Sequence, residues 1–381
     1  MFVRVLSRRR MQGVLLLAAV LLLTAGLLLL PQAAAAGVSR GLSLCACLLI
    51  PSLFPFLVLS GFLTRSGLCV AIGRRLQKPT MALFGLPGCC APGILLALVG
   101  GYPTGAVAVA ELREQGRITE AQAGRMLRFC VCAGPAFLVS AVGVGMLGSA
   151  AYGWVLYLAH ITAALLLGIG ERLLRGPLPD GEAKPAEPPA PGPAAALAES
   201  VRAGCRSMLQ LCGFVVAFCT LLSLLDALGL PAAAEHLLSL PFAPRGGASP
   251  LRGLVSGLLE ISTGCLEMVG SGAPDALLLG FIVGFGSLSV HCQLCAALHG
   301  HCRLTAGFWA ARLLHGMLGG LLARLLLHWI PAPLQVLAAA NGSPVRLFSV
   351  SAAVSAALLL MCALFLLGTA KKDCNLPGKQ I

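Results

Sequence analysis

Ionisable and hydroxyl side chains stand inside an apolar stretch between residues 251 and 270. Glu260 lies in the segment Leu-Glu-Ile-Ser-Thr-Gly, beside a point where glycines weaken a helix, and Thr263 follows three residues later. An ionisable group within lipid is costly and normally faces a cavity or a partner. The sequence therefore marks Glu260 and Thr263 as candidates for binding a proton or a cation. The alternative, in which this stretch lies at the membrane surface and the carboxylate is solvated, fits the residues equally well.

A second set of polar side chains alternates with apolar residues after the sequence Gly284-Phe285-Gly286. These side chains are Ser287, Ser289, His291 and Gln293. Unwound backbone together with hydroxyl, imidazole and amide groups could bind a polar solute. Hydrogen bonding between membrane helices is the competing role for the same residue types. For His291 and Gln293 we favour binding.

The heptapeptide Gly100-Gly101-Tyr102-Pro103-Thr104-Gly105-Ala106 interrupts an apolar run from residue 91 to residue 112. It cannot continue a helix, because Pro103 lacks a backbone N–H and three glycines loosen the chain. Freed backbone groups in hydrocarbon cost several kcal/mol unless protein or a water-filled cavity surrounds them. We therefore predict a buried polar site that includes Gly101, Tyr102, Pro103, Thr104 and Gly105. A structural kink is the alternative, and it is less favoured because a second break follows at residue 286.

Metal-binding and catalytic chemistry receive little support. His291, Cys295 and His299 recur every fourth residue, but no spacing typical of zinc ligands accompanies them, so no metal site is predicted. The sequence lacks the motifs of serine hydrolases, P-loop proteins and dinucleotide-binding enzymes. We expect neither an enzyme nor a cofactor.

Composition places the chain in a membrane. Of its 381 residues, 58% are hydrophobic and only 11% are charged, and its mean hydropathy is +0.91. Soluble domains are about one-quarter charged. The net charge of +13 comes from dispersed basic residues between apolar stretches, which determine membrane orientation and do not indicate nucleic acid binding. The fold class predicted is an all-α polytopic bundle, with most cysteines acting as reduced packing residues.

The apolar stretches and a proline-rich segment divide the chain into five parts. Residues 1–37 form a cytoplasmic arm and an uncleaved first span, although Ala33–Gly37 resembles a signal-peptidase site. The arginines and the lysine of the proline-rich linker 171–203 predict that it lies in the cytoplasm, because cytoplasmic loops are enriched in basic residues. It separates a first repeat at 38–170 from a second at 204–330, and residues 331–381 hold a last span and a tail. The side of the membrane on which the tail lies is left open.

The two halves share an order of elements at an offset of 186 residues, which pairs Gly100 with Gly286 and Thr119 with Thr305. Interrupted segments in both halves are the usual sign of a transporter's binding site. A count of crossings predicts inverted repeats. Segment 88–112 suits either a helical hairpin or one broken span. Prolines 51 and 55 predict a broken or kinked helix at 39–63, and Thr119 with Gln122 predicts a capping box.

Six motifs in order resemble those of the YlbJ-like sporulation integral membrane proteins, which belong to the nucleoside-recognition or "gate" group. They are PSLFPF (51–56), GGYPTGA (100–106), EAQAGRMLRF (120–129), GPAF (134–137), LLEISTG (258–264) and GSLSVHCQ (286–293). The chain departs from the family pattern at Val131 and Cys132, where relatives tend to carry two asparagines, and at Ser287, where a glycine is usual.

This resemblance implies a fold similar to concentrative nucleoside transporters, with inverted repeats and helical hairpins. It implies movement of dipicolinic acid across the outer forespore membrane from the mother cell. The helix N-termini at Thr104-Gly105 and Ser289-Val290 would then hold the two carboxylates, and Tyr102 and His291 would contact the ring. The alternatives are a carrier of nucleosides or other small metabolites and a non-transporting membrane scaffold. The predicted partners are this solute and the lipid bilayer, with a homo-oligomer left open.

Overall fold

The computed structural model describes residues 2–66, 68–178, 192–239, 250–271, 274–298, 300 and 302–329. The predicted last span and tail, and residues 179–191 of the proline-rich linker, lie outside these residues. Within the described part every regular element is helical, which confirms the all-α prediction. The helices are α1 Phe2–Leu29, α2 Pro31–Leu44, α3 Ile50–Arg65, α4 Leu68–Arg75, α5 Gln77–Phe84, α6 Ala91–Gly100, α7 Tyr102–Glu114, α8 Glu120–Phe129, α9 Ala150–Arg175, α10 Pro193–Ala227, α11 Leu230–Ser239, α12 Leu251–Leu259, α13 Ile261–Gly270, α14 Ala276–Phe285, α15 Leu288–Leu298 and α16 Ala306–Trp329. Three irregular helices join them: π-helices Cys45–Leu49 and Ala136–Met146 and a 3₁₀ turn Gly88–Cys90.

The described residues contain five helices that are long and apolar enough to cross a membrane. They are Pro31–Arg65, Ala150–Arg175, Pro193–Ala227, Ala276–Leu298 and Ala306–Trp329, and a bent pair, Gln77–Phe84 with Gly88–Gly100, makes a sixth if it counts as one span. The chain is thus a multi-pass integral membrane protein. The predicted first span forms α1, whose apolar part, Gly13–Leu29, is shorter than these five.

The helix expected to break at Pro51 and Pro55 is continuous. Residues Pro31–Arg65 form one 35-residue span, with a π-helical turn at Cys45–Leu49 immediately before the prolines. Pro51 and Pro55 lie inside this continuous helix, where each removes a backbone N–H and its ring crowds the preceding turn. The wider π-helical turn gives the proline rings room, so the helix continues where we expected it to break.

Two helical hairpins enter the bundle. In the first, α6 and α7 run antiparallel: a Cβ placed on Gly93 would lie 3.3 Å from that of Ala108, and one on Gly105 would lie 2.9 Å from that of Ala97. Segment 88–112 therefore contains a hairpin and not a single broken span. In the second, α12 packs on α13, and Gly257 and Gly264 meet so closely that a Cβ on Gly264 would overlap the Gly257 Cα atom.

The chain turns in the second hairpin at Glu260, not at a glycine. Glu260 is extended, with φ −140° and ψ 118°, and it separates α12 from α13. The glycines that we expected to weaken the helix in this stretch, Gly253, Gly257 and Gly264, lie within α12 and α13 and let the two limbs approach. Small residues at close helix contacts are a common feature of membrane bundles.

Each hairpin precedes an interrupted helix. Residues 130–135 separate α8 from the π-helix Ala136–Met146, and Gly286-Ser287 separates α14 from α15. The offset of 186 residues therefore pairs unlike elements, because Gly100 ends a hairpin limb whereas Gly286 lies inside one 23-residue span. Weak identity across glycine-rich sequence produced that pairing. The inverted relation between the halves stays a prediction.

Long helices support these elements. Helix α16 packs on α14 through glycines, with a Cβ on Gly280 only 2.7 Å from the Gly320 Cα atom. Helix α10 packs on α2 and α3 in the same way, since a Cβ on Gly37 would lie 2.6 Å from the Thr220 Cα atom. The predicted capping box begins α8: the Gln122 N–H donates to the Thr119 hydroxyl at 3.2 Å, and the Thr119 N–H donates to the Gln122 side chain at 2.8 Å.

The second hairpin offers a direct test of this packing. Gly264→Ala should lower the thermal unfolding midpoint in detergent, because overpacking a close contact costs about 1–3 kcal/mol. Gly270→Ala lies on the same helix with no atom within 4 Å of its added Cβ, so it should leave the midpoint unchanged or raise it slightly. Equal midpoints for the two variants would contradict the hairpin geometry.

Candidate functional site

The tip of the first hairpin lies against the interruption between α14 and α15. Gly101 turns the chain with φ +90°, a conformation that favours glycine. The next residue, Tyr102, is buried and donates its hydroxyl to the Val283 carbonyl at 2.6 Å. The hydroxyl of Tyr157 on α9 holds the other limb, at 3.2 Å from the Leu98 carbonyl. The two breaks that the sequence singled out therefore meet in the interior.

The same tip abuts the interruption between α8 and the π-helix. A Cβ on Gly134 would lie 2.6 Å from the Val99 carbonyl oxygen and 2.9 Å from the Gly101 nitrogen. A Cβ on Gly105 would overlap the Cys130 carbonyl. Hairpin tip and interrupted helix are thus in backbone contact, which only glycine permits at these positions.

Glu260 forms the tip of the second hairpin. Its carboxylate accepts hydrogen bonds from the backbone N–H groups of Ser262, at 3.0 Å, and Thr263, at 2.6 Å, and so caps α13. The side chain is 1% exposed. The Thr263 hydroxyl lies 3.4 Å from the Cys219 sulfur on α10. A capped helix start explains why a carboxylate is tolerated here, and its burial favours the binding hypothesis over the alternative of a solvated carboxylate.

A cluster of charges fastens the second hairpin further along its limbs. Arg252 on α12 pairs with Asp226 at the end of α10 and lies 3.7 Å from Glu267 on α13. Glu267 also accepts a hydrogen bond from the Ser256 hydroxyl at 2.5 Å. This cluster joins both limbs of the hairpin to α10.

A cavity of about 50 Å³ lies where the two tips and the two interruptions meet. A single water needs roughly 10–15 Å³ on this measure, so the cavity has room for a few waters. It is lined by Leu49, Leu53, Leu57, Gly100, Gly101, Tyr102, Pro103, Gly134, Ala136, Phe137, Leu211, Val215, Glu260, Ile261, Ser262, Val290 and Gln293. Its walls are mostly apolar, and the longest flexible polar side chains among them are those of Glu260 and Gln293.

Helix starts, more than helix ends, border this cavity. The first turns of α7, the π-helix, α13 and α15 each contribute lining residues. Neither α7 nor the π-helix Ala136–Met146 has a side-chain cap. Helix starts carry a partial positive charge, and their unpaired N–H groups bind anions.

The negatively polarised ends of the interrupted helices are covered by Arg312 of α16. Its Nη2 donates to the Arg128 carbonyl at 2.6 Å, and its Nη1 donates to the carbonyls of Val131, at 2.5 Å, and Gly284, at 3.4 Å. Arg312 is fully buried. One guanidinium therefore covers the C-terminal ends of both α8 and α14. The N-termini of the helices that follow, the π-helix Ala136–Met146 and α15, border the cavity.

The chain is 28% identical to the sporulation integral membrane protein YlbJ of Bacillus subtilis (strain 168), over 79% of each chain. It is similar to that protein over most of its length. No family model and no solved structure matches it. The similarity confirms the resemblance carried by the six motifs, whereas the likeness to nucleoside transporters stays an expectation.

The structure brings five of the predicted site residues to the cavity: Gly101, Tyr102, Pro103, Gln293 and Glu260. The others lie close by in supporting positions. The Thr104 hydroxyl bonds to the Gly100 carbonyl at 3.0 Å, and Gly105 packs on Cys130. The Ser287 hydroxyl caps α15 by accepting from the Val290 N–H at 3.2 Å, and Ser289 lies 3.4 Å from the Gln293 amide.

His291 lies outside the cavity lining. Its ring packs among Phe285, Phe308 and Trp309, with 4.6 Å between the centroids of His291 and Trp309. It therefore contacts aromatic rings of the protein where we expected it to contact a bound ring. His299 of the His/Cys stripe lies outside the described residues. Across the part of the chain that the structure describes, no group of three metal-capable side chains comes together.

Three buried polar residues of this fold were missed by the sequence reasoning: Arg312, His315 and His160. All three lie in helices long enough to span the membrane and are at most 2% exposed. The signal that could have found them is the ionisable side chain in an apolar span, which was applied to Glu260 but not to Arg312.

Proposed function

We propose that the protein carries a small organic anion across a membrane of the sporulating cell, with dipicolinic acid as the substrate. The observation that carries this proposal is the set of four helix starts around one buried cavity, with the opposing helix ends covered by Arg312 and Tyr102. The partial positive charge of helix starts stabilises carboxylates in a site with mostly apolar walls. The family resemblance supplies the substrate and the outer forespore membrane.

Glu260 places a negative charge beside this anion site. Like charges in a buried site repel by several kcal/mol, so an anion enters at acceptable cost when Glu260 is protonated or moves away. We propose that Glu260 takes up a proton with the substrate and that the Thr263 N–H holds the carboxylate in the empty carrier. Transport would then be coupled to protons.

A cavity of about 50 Å³ is too small for a pyridine dicarboxylate, so the site must widen to load it. The second hairpin is the element we propose to move. Its two limbs form a compact unit, and the Asp226–Arg252–Glu267 cluster gives it a fixed point on α10. Displacement of Glu260 would open the cavity and remove its charge in one movement.

A neutral solute with several hydrogen-bonding groups, such as a nucleoside, is the second candidate substrate. The polar side chains that line the cavity, Glu260 and Gln293, are typical partners for hydroxyl and amide groups and favour this alternative. Both substrates use the same architecture and differ in the charge that the cavity must accept.

Uptake by vesicles reconstituted with the purified chain distinguishes the two. We expect saturable uptake of labelled dipicolinate, stimulated by an inward proton gradient and competed by unlabelled dipicolinate but not by uridine. Competition by uridine alone would replace the proposal with the nucleoside carrier. Absence of uptake of either solute would contradict both.

A further inference from the structure

Arg312 is an unusual residue for the centre of a membrane-spanning helix. Its side chain is fully buried, and one face of the guanidinium lies 5.7 Å from the centre of the Phe308 ring. Among the residues that the structure describes, no carboxylate lies within ion-pair distance of it. A buried cation without a carboxylate is normally destabilising by several kcal/mol, so its retention calls for a specific compensation.

Backbone carbonyls provide that compensation. The two short bonds, to Arg128 and Val131, lie at the end of α8 and in the segment that follows it. The third, longer bond reaches Gly284 in the last turn of α14. Cations at C-terminal helix ends complement the macrodipole, and a planar guanidinium holds several carbonyls in a fixed geometry, whereas an ammonium is a compact point charge without that geometry.

Two histidines, His160 and His315, lie at the interruption that Arg312 also contacts. The Ala133 N–H donates to His160 Nε2 at 2.8 Å, so this nitrogen carries no proton. His315 Nε2 lies 3.0 Å from the His160 carbonyl and must donate to it. The two rings stack with their centroids 4.4 Å apart. Residues 128–133 are therefore held by Arg312 of α16 and His160 of α9, and His315 of α16 in turn contacts His160.

We propose that Arg312 is the positioning residue of the cavity: it holds the interruption after α8 and the end of α14 in one arrangement, and so fixes which helix starts face the solute. Its effect on solute binding depends on the proposed transport function, but its hold on residues 128–133 does not. The competing view is that Arg312 merely contributes to overall folding.

Native thiols test the proposal without any transport assay. Cys130 and Cys132 lie in the held segment and are 1% and 0% exposed, whereas Cys90 is equally buried in the turn Gly88–Cys90. In Arg312→Gln and Arg312→Lys, we expect alkylation of Cys130 and Cys132 by N-ethylmaleimide to accelerate at least about tenfold, the equivalent of easing local opening by about 1.4 kcal/mol. Alkylation of Cys90 should not change. Peptide mass spectrometry of the full-length protein in detergent gives the three rates.

Arg324→Gln is the matched control, because Arg324 lies on the same helix and is exposed. Rates of Cys130 and Cys132 that equal the wild type in a folded Arg312 variant would overturn the proposal. So would an equal acceleration at Cys90 in both variants, since that marks general unfolding. In the reconstituted vesicles, Arg312→Lys should raise the dipicolinate KM at least about fivefold, with Arg324→Gln unchanged. Accelerated labelling without dipicolinate transport by the wild type would support the positioning role and contradict the proposed function alone.

Discussion

Replacing Gly134 by alanine should reduce dipicolinate uptake by at least about tenfold in kcat/KM, or about 1.4 kcal/mol. The added Cβ would lie 2.6 Å from the Val99 carbonyl oxygen and 2.9 Å from the Gly101 nitrogen. Both are backbone atoms of the first hairpin tip, so no flexible side chain can yield. The tip must withdraw from the interruption after α8, which separates two of the four walls of the cavity.

Gly124→Ala is the control for this substitution. Gly124 lies in α8, ahead of the interruption, with no atom within 4 Å of an added Cβ. Alanine is also the better helix former, so this variant should be as stable as the wild type and fully active. Uptake would be measured in reconstituted vesicles at matched protein content. Wild-type uptake by Gly134→Ala would mean that contact between tip and interruption is not needed for transport.

Glu260→Gln should bind dipicolinate at least about fivefold more tightly than the wild type, a gain of roughly 1 kcal/mol. The amide keeps one oxygen to accept from the Ser262 or Thr263 N–H, so the cap on α13 is partly preserved. The negative charge beside the anion site is gone. Titration calorimetry on detergent-solubilised protein measures the change. Stimulation of uptake by a proton gradient should be lost in the same variant.

Glu267→Gln provides the comparison for Glu260→Gln. It removes the same charge from the same hairpin, at a position that does not line the cavity. It should weaken the contact with Arg252 and leave dipicolinate affinity within about twofold of the wild type. Weaker binding by Glu260→Gln would show that the carboxylate attracts the solute, as expected for a cation or a nucleoside, and would contradict an anion site.

Membrane location and the interrupted segments were predictable from local sequence. A 58% hydrophobic chain with 11% charge has few alternatives to a polytopic bundle. Gly101 and Gly286 have positive φ and separate helices, and this preference of glycine needs no tertiary information. The capping box at Thr119 is equally local, and the structure confirms it.

The relation between the interruptions was not predictable in the same way. Whether a break becomes a hairpin or a bend in one span depends on what each limb packs against. Gly105 contacts Cys130, and Gly284 contacts the backbone of Gly316, both across long sequence separations. An offset of 186 residues therefore matched a hairpin tip with a bend.

The predicted site residues likewise divide into those whose position follows from local sequence and those whose position depends on tertiary packing. Pro103 and Gln293 reach the cavity because they stand next to an interruption, which the sequence marks. His291 turns instead to Phe285 and Trp309, since the side on which a helical side chain lies is set by neighbouring helices. Arg312 escaped notice because its partners are carbonyl groups, which leave no pattern of complementary charge in the sequence.

On this account, the two hairpin tips and the two helix interruptions form one solute-binding cavity. The most direct test is whether the solute protects thiols placed in that cavity. Pro103→Cys and Gln293→Cys, each made in a chain whose native cysteines are replaced, line the cavity from two different elements. Ser289→Cys, buried on α15 outside the lining, is the reference. We expect saturating dipicolinate to slow labelling at 103 and 293 by a small hydrophilic thiosulfonate at least about tenfold, with no change at 289. Unchanged labelling at either 103 or 293 in protein that transports dipicolinate would contradict the account.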